Sequence, residues 1–230
     1  MANMKVQRIE RPKALVDMAK ESIRDLIITG HLAMGEKISE SKLAEQLGIS
    51  TTPVREAFAF LEREGLVSIL PQRGTFVFKL QPGELNYICE LRVALEPAAL
   101  QLAMERQREP FLAALGETVE SMERAIGKSD IPTYLTLDTR FHQTFFDHSG
   151  NPYLERAYGL ISGKIAALRN RLGTDPHHTA KSLREHRSML GHLAKGRTTD
   201  AIQVLLKHIA RKEGSYWEYF DENSSTLLRS

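Results

Sequence analysis

The first third of the chain contains three runs in which apolar residues recur at helical spacing. The first run spans residues 14–29. The second follows Ser39, whose hydroxyl suits a helix N-cap, and stops at Gly48, because glycine readily adopts the left-handed conformation that ends a helix. Ser50 or Thr51 can cap the third run. The pattern predicts three helices, the last two joined by a tight turn.

Beyond the third run the period changes from helical to strand-like. The stretch LVSIL is apolar and rich in strand-forming residues, PQRG is typical of a turn, and TFVF returns as a second strand. Residues 30–39, between the first two helices, indicate a loop. Three helices followed by a hairpin form a winged helix-turn-helix, which we place at residues 1–79, with residues 80–83 as a linker.

From residue 84 to residue 230 the pattern is helical, with no strand signal, and predicts an all-α bundle of about six helices. Pro97 is expected to bend the first of them or to remove one of its backbone hydrogen bonds. The fold class is therefore mainly α. The predicted bundle helices are Glu84–Gln107, Pro110–Gly127, Ile131–His148, Pro152–Leu172, His177–Lys195 and Thr198–Phe220.

The composition of the 230-residue chain is that of an ordinary globular protein, with 42% hydrophobic and 26% charged residues. The single cysteine, Cys89, excludes an internal disulfide framework and fits a reducing compartment. The first residues lack the apolar core of a signal peptide, and no run approaches the roughly 18 apolar residues of a membrane span. We expect a cytoplasmic protein with no membrane partner.

The predicted third helix carries the chemistry of a DNA-reading element at its N-terminal end. A helix of this kind can dock in the major groove, which is about 12 Å wide, with its first turns toward the bases. Those turns contain the hydroxyls of Ser50, Thr51 and Thr52, followed by Arg55, which can bind phosphate or make a forked contact to guanine.

The turn of the predicted hairpin adds Arg73 and Gly74. An arginine suits a phosphate or a narrow groove, and a glycine lets the backbone approach closely. The alternative is a three-helix unit with an ordinary hairpin that contacts other proteins. The net charge of +2 does not decide between these readings. The exposed arginine and the capped, amphipathic third helix favour DNA.

The segment KISESKLAEQLGISTTPVREAFAFLEREGLV, followed by RGTFV, resembles the DNA-binding domain of the GntR family of bacterial transcription regulators. The resemblance implies a homodimer on a palindromic operator. The family often has a basic residue where this chain has Ser41 and usually one at Thr51, so either the operator differs or Arg55 and the wing carry more of the readout. The DNA contacts implied by the resemblance are Ser41, Ser50, Thr51, Thr52, Arg55, Arg73 and Gly74.

The helical half places one carboxylate and three imidazoles where they could converge. Asp138 and His142 are four residues apart and share one face of a predicted helix, and His186 and His208 lie on two later helices. Such a set suits a borderline divalent ion such as Zn²⁺, Ni²⁺ or Mn²⁺. The alternative is that each histidine is an ordinary interior or surface residue.

The helical half also resembles the FCD ligand-binding domain, which defines the FadR/FCD subgroup of the GntR family. The stretch ELRVALEPAAL, the Asp-x3-His pair and the two later single histidines match its pattern. The resemblance implies one divalent ion per chain, held by the four residues above, and a small organic acid as effector. Arg92 is a candidate for binding the effector carboxylate, and its alternative role is an ion pair with Glu96.

Three functions are compatible with the sequence. The first is a transcription regulator, expected to be a repressor, whose operator binding responds to an organic acid. The second is a metal-dependent enzyme acting on such an acid; however, the chain contains no HExxH motif, nucleophile elbow or phosphate-binding loop. The third is a regulator whose metal is purely structural or is itself the signal.

Overall fold

A computed structural model describes residues 14–81, 83–172 and 176–210 of the chain. These residues form nine helices and three short strands, which confirms the mainly α fold class. In chain order the elements are α1 Leu15–Ile28, β1 Lys37–Ile38, α2 Glu40–Leu47, α3 Thr51–Arg63, β2 Val67–Leu70, β3 Gly74–Val77, α4 Glu84–Arg106, α5 Arg108–Gly127, α6 Ile131–Asp147, α7 Pro152–Leu172, α8 Pro176–Ala194 and α9 Thr198–Ile209.

The N-terminal part, which we call the head (residues 14–81), has the predicted helix ends. Ser39 precedes α2, and its hydroxyl accepts a hydrogen bond from the backbone N–H of Lys42 at 3.3 Å. Gly48 ends α2 in the left-handed conformation, with a φ of 66°. Ser50 occupies the position before α3, but its hydroxyl makes no capping bond to the described backbone.

The sheet of the head has one strand more than the sequence indicated. The stretch predicted to be a loop contains β1, which pairs antiparallel with β3, and the strand order is β1-β3-β2. The loop prediction was therefore wrong at Lys37 and Ile38. A two-residue strand is too short to show a period of two, and its pairing depends on backbone bonds to a distant strand.

The helical part, which we call the bundle (residues 84–210 as described), follows the predicted order of six helices. α4 continues through Pro97, so this residue does not interrupt the helix. The sixth helix ends at Ile209, and the predicted continuation from 211 to Phe220 lies outside the described residues. No helix in the described ranges is long and apolar enough to cross a membrane.

The head packs directly on α7 of the bundle, and one hydrophobic core includes residues of both parts. Leu66, between α3 and β2 of the head, is fully buried against Gly163, where a Cβ would lie 2.8 Å from a Leu66 methyl carbon. Nearby on α7, Arg171 donates to the backbone carbonyl of Leu32 in the head at 3.3 Å, and a Cβ added to Gly65 of the head would lie 3.0 Å from Lys164 Cε. Close packing therefore joins the two parts.

Replacing Leu66 by alanine is expected to lower the free energy of unfolding by about 2–4 kcal/mol, because it opens a cavity between head and bundle. Thermal melting followed by circular dichroism measures the effect. Leu70→Ala is the matched control, since Leu70 is 38% exposed and should change stability far less. Equal destabilisation by the two variants would contradict the packing described here.

Candidate metal centre and nucleic-acid interface

Four potential ligands from three helices of the bundle converge on one point. Asp138 and His142 come from α6, His186 from α8 and His208 from α9, and one ligand atom of each lies within 4.8 Å of all the others. The first three are buried and the fourth is partly buried. The four residues singled out from the sequence are thus brought together.

Two of the imidazoles are oriented by carboxylates outside the cluster. His142 Nδ1 lies 2.8 Å from Glu96 Oε2, and His208 Nδ1 lies 2.8 Å from Glu185 Oε2. A carboxylate only accepts hydrogen bonds, so each Nδ1 carries the proton and each Nε2 presents a lone pair when the ring is neutral. The two Nε2 atoms face each other at 3.2 Å. Two lone pairs directed at one point fit a shared cation.

His186 has no hydrogen-bond partner for either ring nitrogen among the described residues, although it is fully buried. Its ring stacks on Phe141, with 4.1 Å between the ring centroids, and its Nε2 is 3.7 Å from Asp138 Oδ1. Burial lowers the pKa of His186 to about 3, so the ring is neutral. A buried imidazole without a partner is costly, and a metal ion would satisfy it.

Asp138 supplies the negative charge of the cluster. Burial alone would raise the pKa of its carboxyl group, but nearby positive charge, above all that of Arg169, outweighs burial and holds that pKa well below its ordinary value. Its Oδ2 lies 2.7 Å from Arg169 Nε, and its Oδ1 accepts from the Ser182 hydroxyl at 3.0 Å. The carboxylate is therefore ionised and held in a fixed orientation.

His142, like His186, can bind a metal without first losing a proton. Burial, followed by the charges of Arg169 and Arg92, lowers the pKa of His142 well below its ordinary value. One divalent ion with four ligand atoms at about 2.0–2.2 Å would require the four side chains to come closer together than the 4.8 Å that bounds their present separations. The residues present fit a borderline divalent ion.

Arg92 forms the ion pair that the sequence offered as its alternative role. Its Nε donates to Glu96 Oε1 at 2.5 Å, and its Nη2 lies 3.4 Å from His142 Nδ1. The side chain is 1% exposed. Arg92 therefore lies on the Nδ1 side of the His142 ring, whereas Nε2 faces the cluster. A second guanidinium group, that of Arg169, contacts the cluster at Asp138. Sequence reasoning missed Arg169, Glu185 and the orienting role of Glu96, because none has a characteristic spacing to the histidines.

A small cavity lies beside Asp138, between α6 and the N-terminal turns of α8. Its volume is about 20 Å³, and Tyr134, Thr179 and Ser182 contribute to its lining. The Tyr134 hydroxyl donates to the Thr179 carbonyl at 3.1 Å and so ties the two helices together across it. This volume suffices for about one water molecule. An organic acid would therefore have to widen the cavity.

The predicted DNA contacts lie at the surface of the head. Arg55, in the second turn of α3, donates from Nε and Nη2 to Glu40 Oε2 at 3.0 and 2.9 Å, with 70% of its side chain exposed. The Glu40 carboxylate raises the pKa of Arg55. Ser41 follows Glu40 in α2, and its hydroxyl oxygen is 3.0 Å from that of Ser39. The remaining predicted contacts are exposed and are Ser50, Thr51, Thr52, Arg73 and Gly74.

The wing, which is the turn between β2 and β3, contains two residues with a left-handed backbone conformation. Gly74 has a φ of 102° and Gln72 a φ of 59°, both in the left-handed range that favours glycine. Arg73 lies between them, and its backbone N–H donates to the Leu70 carbonyl at 3.1 Å. The turn therefore presents Arg73 at an exposed tip.

Two family models match the chain. The model of the "FCD domain" matches residues 87–211, and the model of "Bacterial regulatory proteins, gntR family" matches residues 15–77. Relatives include the HTH-type transcriptional regulator YdhC of Bacillus subtilis, 28% identical over 87% of this chain and 90% of that protein. Another relative is an HTH-type regulator from an unstable DNA locus of Streptomyces ambofaciens, 30% identical over 81% and 78% of the two chains.

Solved structures share the fold. McbR/YncC of Escherichia coli superposes with a TM-score of 0.77 at 22% identity, over 95% of this chain and 99% of that one. A GntR regulator from Rhodococcus sp. RHA1 has a TM-score of 0.71 at 20% identity, over 93% and 97% of the two chains.

A winged helix-turn-helix head joined to an all-helical bundle defines a DNA-binding transcription regulator. The chain belongs to the GntR family, in the group whose second domain is an FCD domain, and the family membership indicated by the sequence is confirmed.

Proposed function

We propose that the chain is a homodimeric repressor that binds a palindromic operator. The proposal is carried by the exposed N-terminal end of α3. This end presents three hydroxyl groups and the guanidinium group of Arg55, which Glu40 holds in place. Arg55 contacts bases or phosphates in the major groove, and the wing follows an adjacent groove. The remaining contacts come from Ser41, Ser50, Thr51, Thr52, Arg73 and Gly74.

We further propose that Asp138, His142, His186 and His208 hold one divalent ion per chain, which is Zn²⁺, Ni²⁺ or Mn²⁺. The support is the pair of facing Nε2 atoms and the unpartnered ring of His186. Such an ion, when bound, supplies a Lewis-acidic point that attracts an anionic oxygen.

The effector that fits this centre is a small organic acid, such as a hydroxy acid, a sugar acid or a dicarboxylate. Arg169 and Arg92 supply two guanidinium groups within the bundle, and guanidinium pairs with carboxylate. Arg169 borders the cavity beside Asp138 and is placed nearer to an incoming acid than Arg92. Binding widens the cavity, which lengthens the Tyr134–Thr179 hydrogen bond and moves α8 relative to α6.

Operator binding responds to the acid only if the acid binds two arrangements of the protein with unequal affinity. The arrangement described here has a cavity of about 20 Å³ and disfavours the acid. The acid therefore favours a wider arrangement of the bundle, and α7 transmits the change because it contacts both Asp138, through Arg169, and the head, through Gly163.

DNA binding is tested by selecting duplexes from a randomised pool with the full-length protein. We expect a recovered palindrome whose affinity falls steeply as salt concentration rises, because phosphate contacts release counterions. Recovery of no enriched sequence, at any salt concentration, would refute the proposed operator.

Stripping the metal separates the effector proposal from the alternative of a purely structural metal. In a thermal-shift screen, we expect an organic acid to raise the melting temperature of the metal-loaded protein. The same acid should leave the melting temperature of the stripped protein unchanged. Equal acid binding by both forms would favour a structural metal. A response of operator binding to metal alone would favour metal sensing, and turnover of an acid would favour the enzyme hypothesis.

A further inference from the structure

Lys37, on the short strand β1, extends toward the tip of the wing. The strand is held beside β3 by the hydrogen bond from Val77 N–H to the Glu36 carbonyl at 2.9 Å, with Lys37 opposite Phe76 in the register. A Cβ added to Gly74 would lie 3.1 Å from Lys37 Cε and 3.8 Å from its Nζ. The ammonium group of Lys37 therefore lies beside the glycine of the wing.

The segment that begins with Lys37 contacts α3 at its other end. Glu40, three residues after Lys37, accepts the two hydrogen bonds from Arg55 of α3. Residues 37–40 thus connect the wing glycine with the side chain proposed to read the major groove. A duplex that contacts both Arg55 and Gly74 has to pass over this segment.

Lys37 is exposed, and no carboxylate within the part of the chain that the structure describes forms an ion pair with it. Arg55, by contrast, faces the carboxylate of Glu40. The positions of Ser41 and Thr51 carry no charge, so the surface around α2 and α3 depends on other cations.

We propose that Lys37 binds the phosphate backbone of DNA where the strand passes between the wing and α3. An ammonium group on a flexible stem suits a phosphate as a point charge and does not distinguish one base from another. The inference rests on the proposed operator binding and adds a contact on an element that the sequence did not show to exist. It predicts affinity without sequence preference.

The test is the salt dependence of DNA binding by the full-length protein, measured by fluorescence anisotropy. The probes are a duplex recovered by selection and a scrambled duplex of the same length. Lys37→Gln is expected to weaken binding roughly fivefold to tenfold at low salt on both duplexes. It should also reduce the slope of log K against log salt by about one for each chain. The preference for the selected duplex should not change.

Lys37→Arg, which restores the charge, is expected to restore the wild-type slope. Lys195→Gln, directly after α8, removes an exposed lysine from the bundle and should leave the salt slope unchanged. An unaltered slope in Lys37→Gln, or a loss confined to the selected duplex, would overturn the proposal. If the wild-type protein binds neither duplex, the proposed operator binding itself fails, and the two failures are distinct.

Discussion

His142→Ala is expected to reduce the metal content of the purified protein from about one ion per chain to near zero. The His142 ring has its Nδ1 held by Glu96 and its Nε2 directed at His208, so the substitution removes an oriented ligand atom from the cluster. A tightly bound ion contributes about 2.7 kcal/mol at a free concentration of one hundred times its Kd. A lower melting temperature should therefore accompany the loss of metal.

Elemental analysis after dialysis, together with thermal melting with and without a chelator, measures both effects. His192→Ala is the matched control, because His192 lies on α8 with His186 but its Nδ1 is 3.6 Å from Asp200 and outside the cluster. The control should bind metal as the wild type does and should lose stability on chelation. Full metal content in His142→Ala would show that His142 is not a ligand and would contradict the proposed set of four.

Arg55→Ala is expected to weaken binding to the selected duplex by about 1–3 kcal/mol, roughly fivefold to more than a hundredfold, and to relax its sequence preference. The substitution removes the forked donor from the exposed N-terminal end of α3, where no buried packing is lost. The loss should be much smaller on a scrambled duplex, because base contacts specify sequence and phosphate contacts do not.

Arg63→Ala provides the control for the Arg55 variant, since Arg63 lies in the last turn of the same helix and contacts the ring of Phe60. Binding of both duplexes should remain close to the wild type. Glu40→Gln offers a second comparison, because it leaves Arg55 in place but removes its charged partner. If Arg55→Ala binds the selected duplex as tightly as the wild type, α3 does not read the operator as proposed.

The sequence was sufficient to predict elements that have a local physical cause. Ser39 and Gly48 mark the ends of α2 because capping and left-handed conformations depend on single residues. The Asp138–His142 spacing placed two potential ligands on one face, because residues four apart in sequence are neighbours on the surface of a helix. The strand β1 could not be predicted, because its existence depends on the distant strand β3.

The residues that surround the metal cluster could not be predicted from the sequence, for a different reason. Glu185, Glu96 and Arg169 lie on three helices whose rotation and separation are set by packing in the whole bundle. No spacing rule connects residues that are 46 positions apart, as His142 and Glu96 are. The resemblance to a family pointed to the ligands, but the groups that orient them and fix their charge required coordinates.

The contact between Leu66 and Gly163 has a practical consequence for hybrid proteins. Gly163 and Arg169 are six residues apart on α7, which corresponds to about 9 Å along a helix axis. A chimera that fuses this head to another FCD domain would meet a side chain at the position of Gly163 unless the donor also has glycine there, since Leu66 already fills that space. Exchange of domains between relatives therefore requires the helix surface to be transferred along with the head.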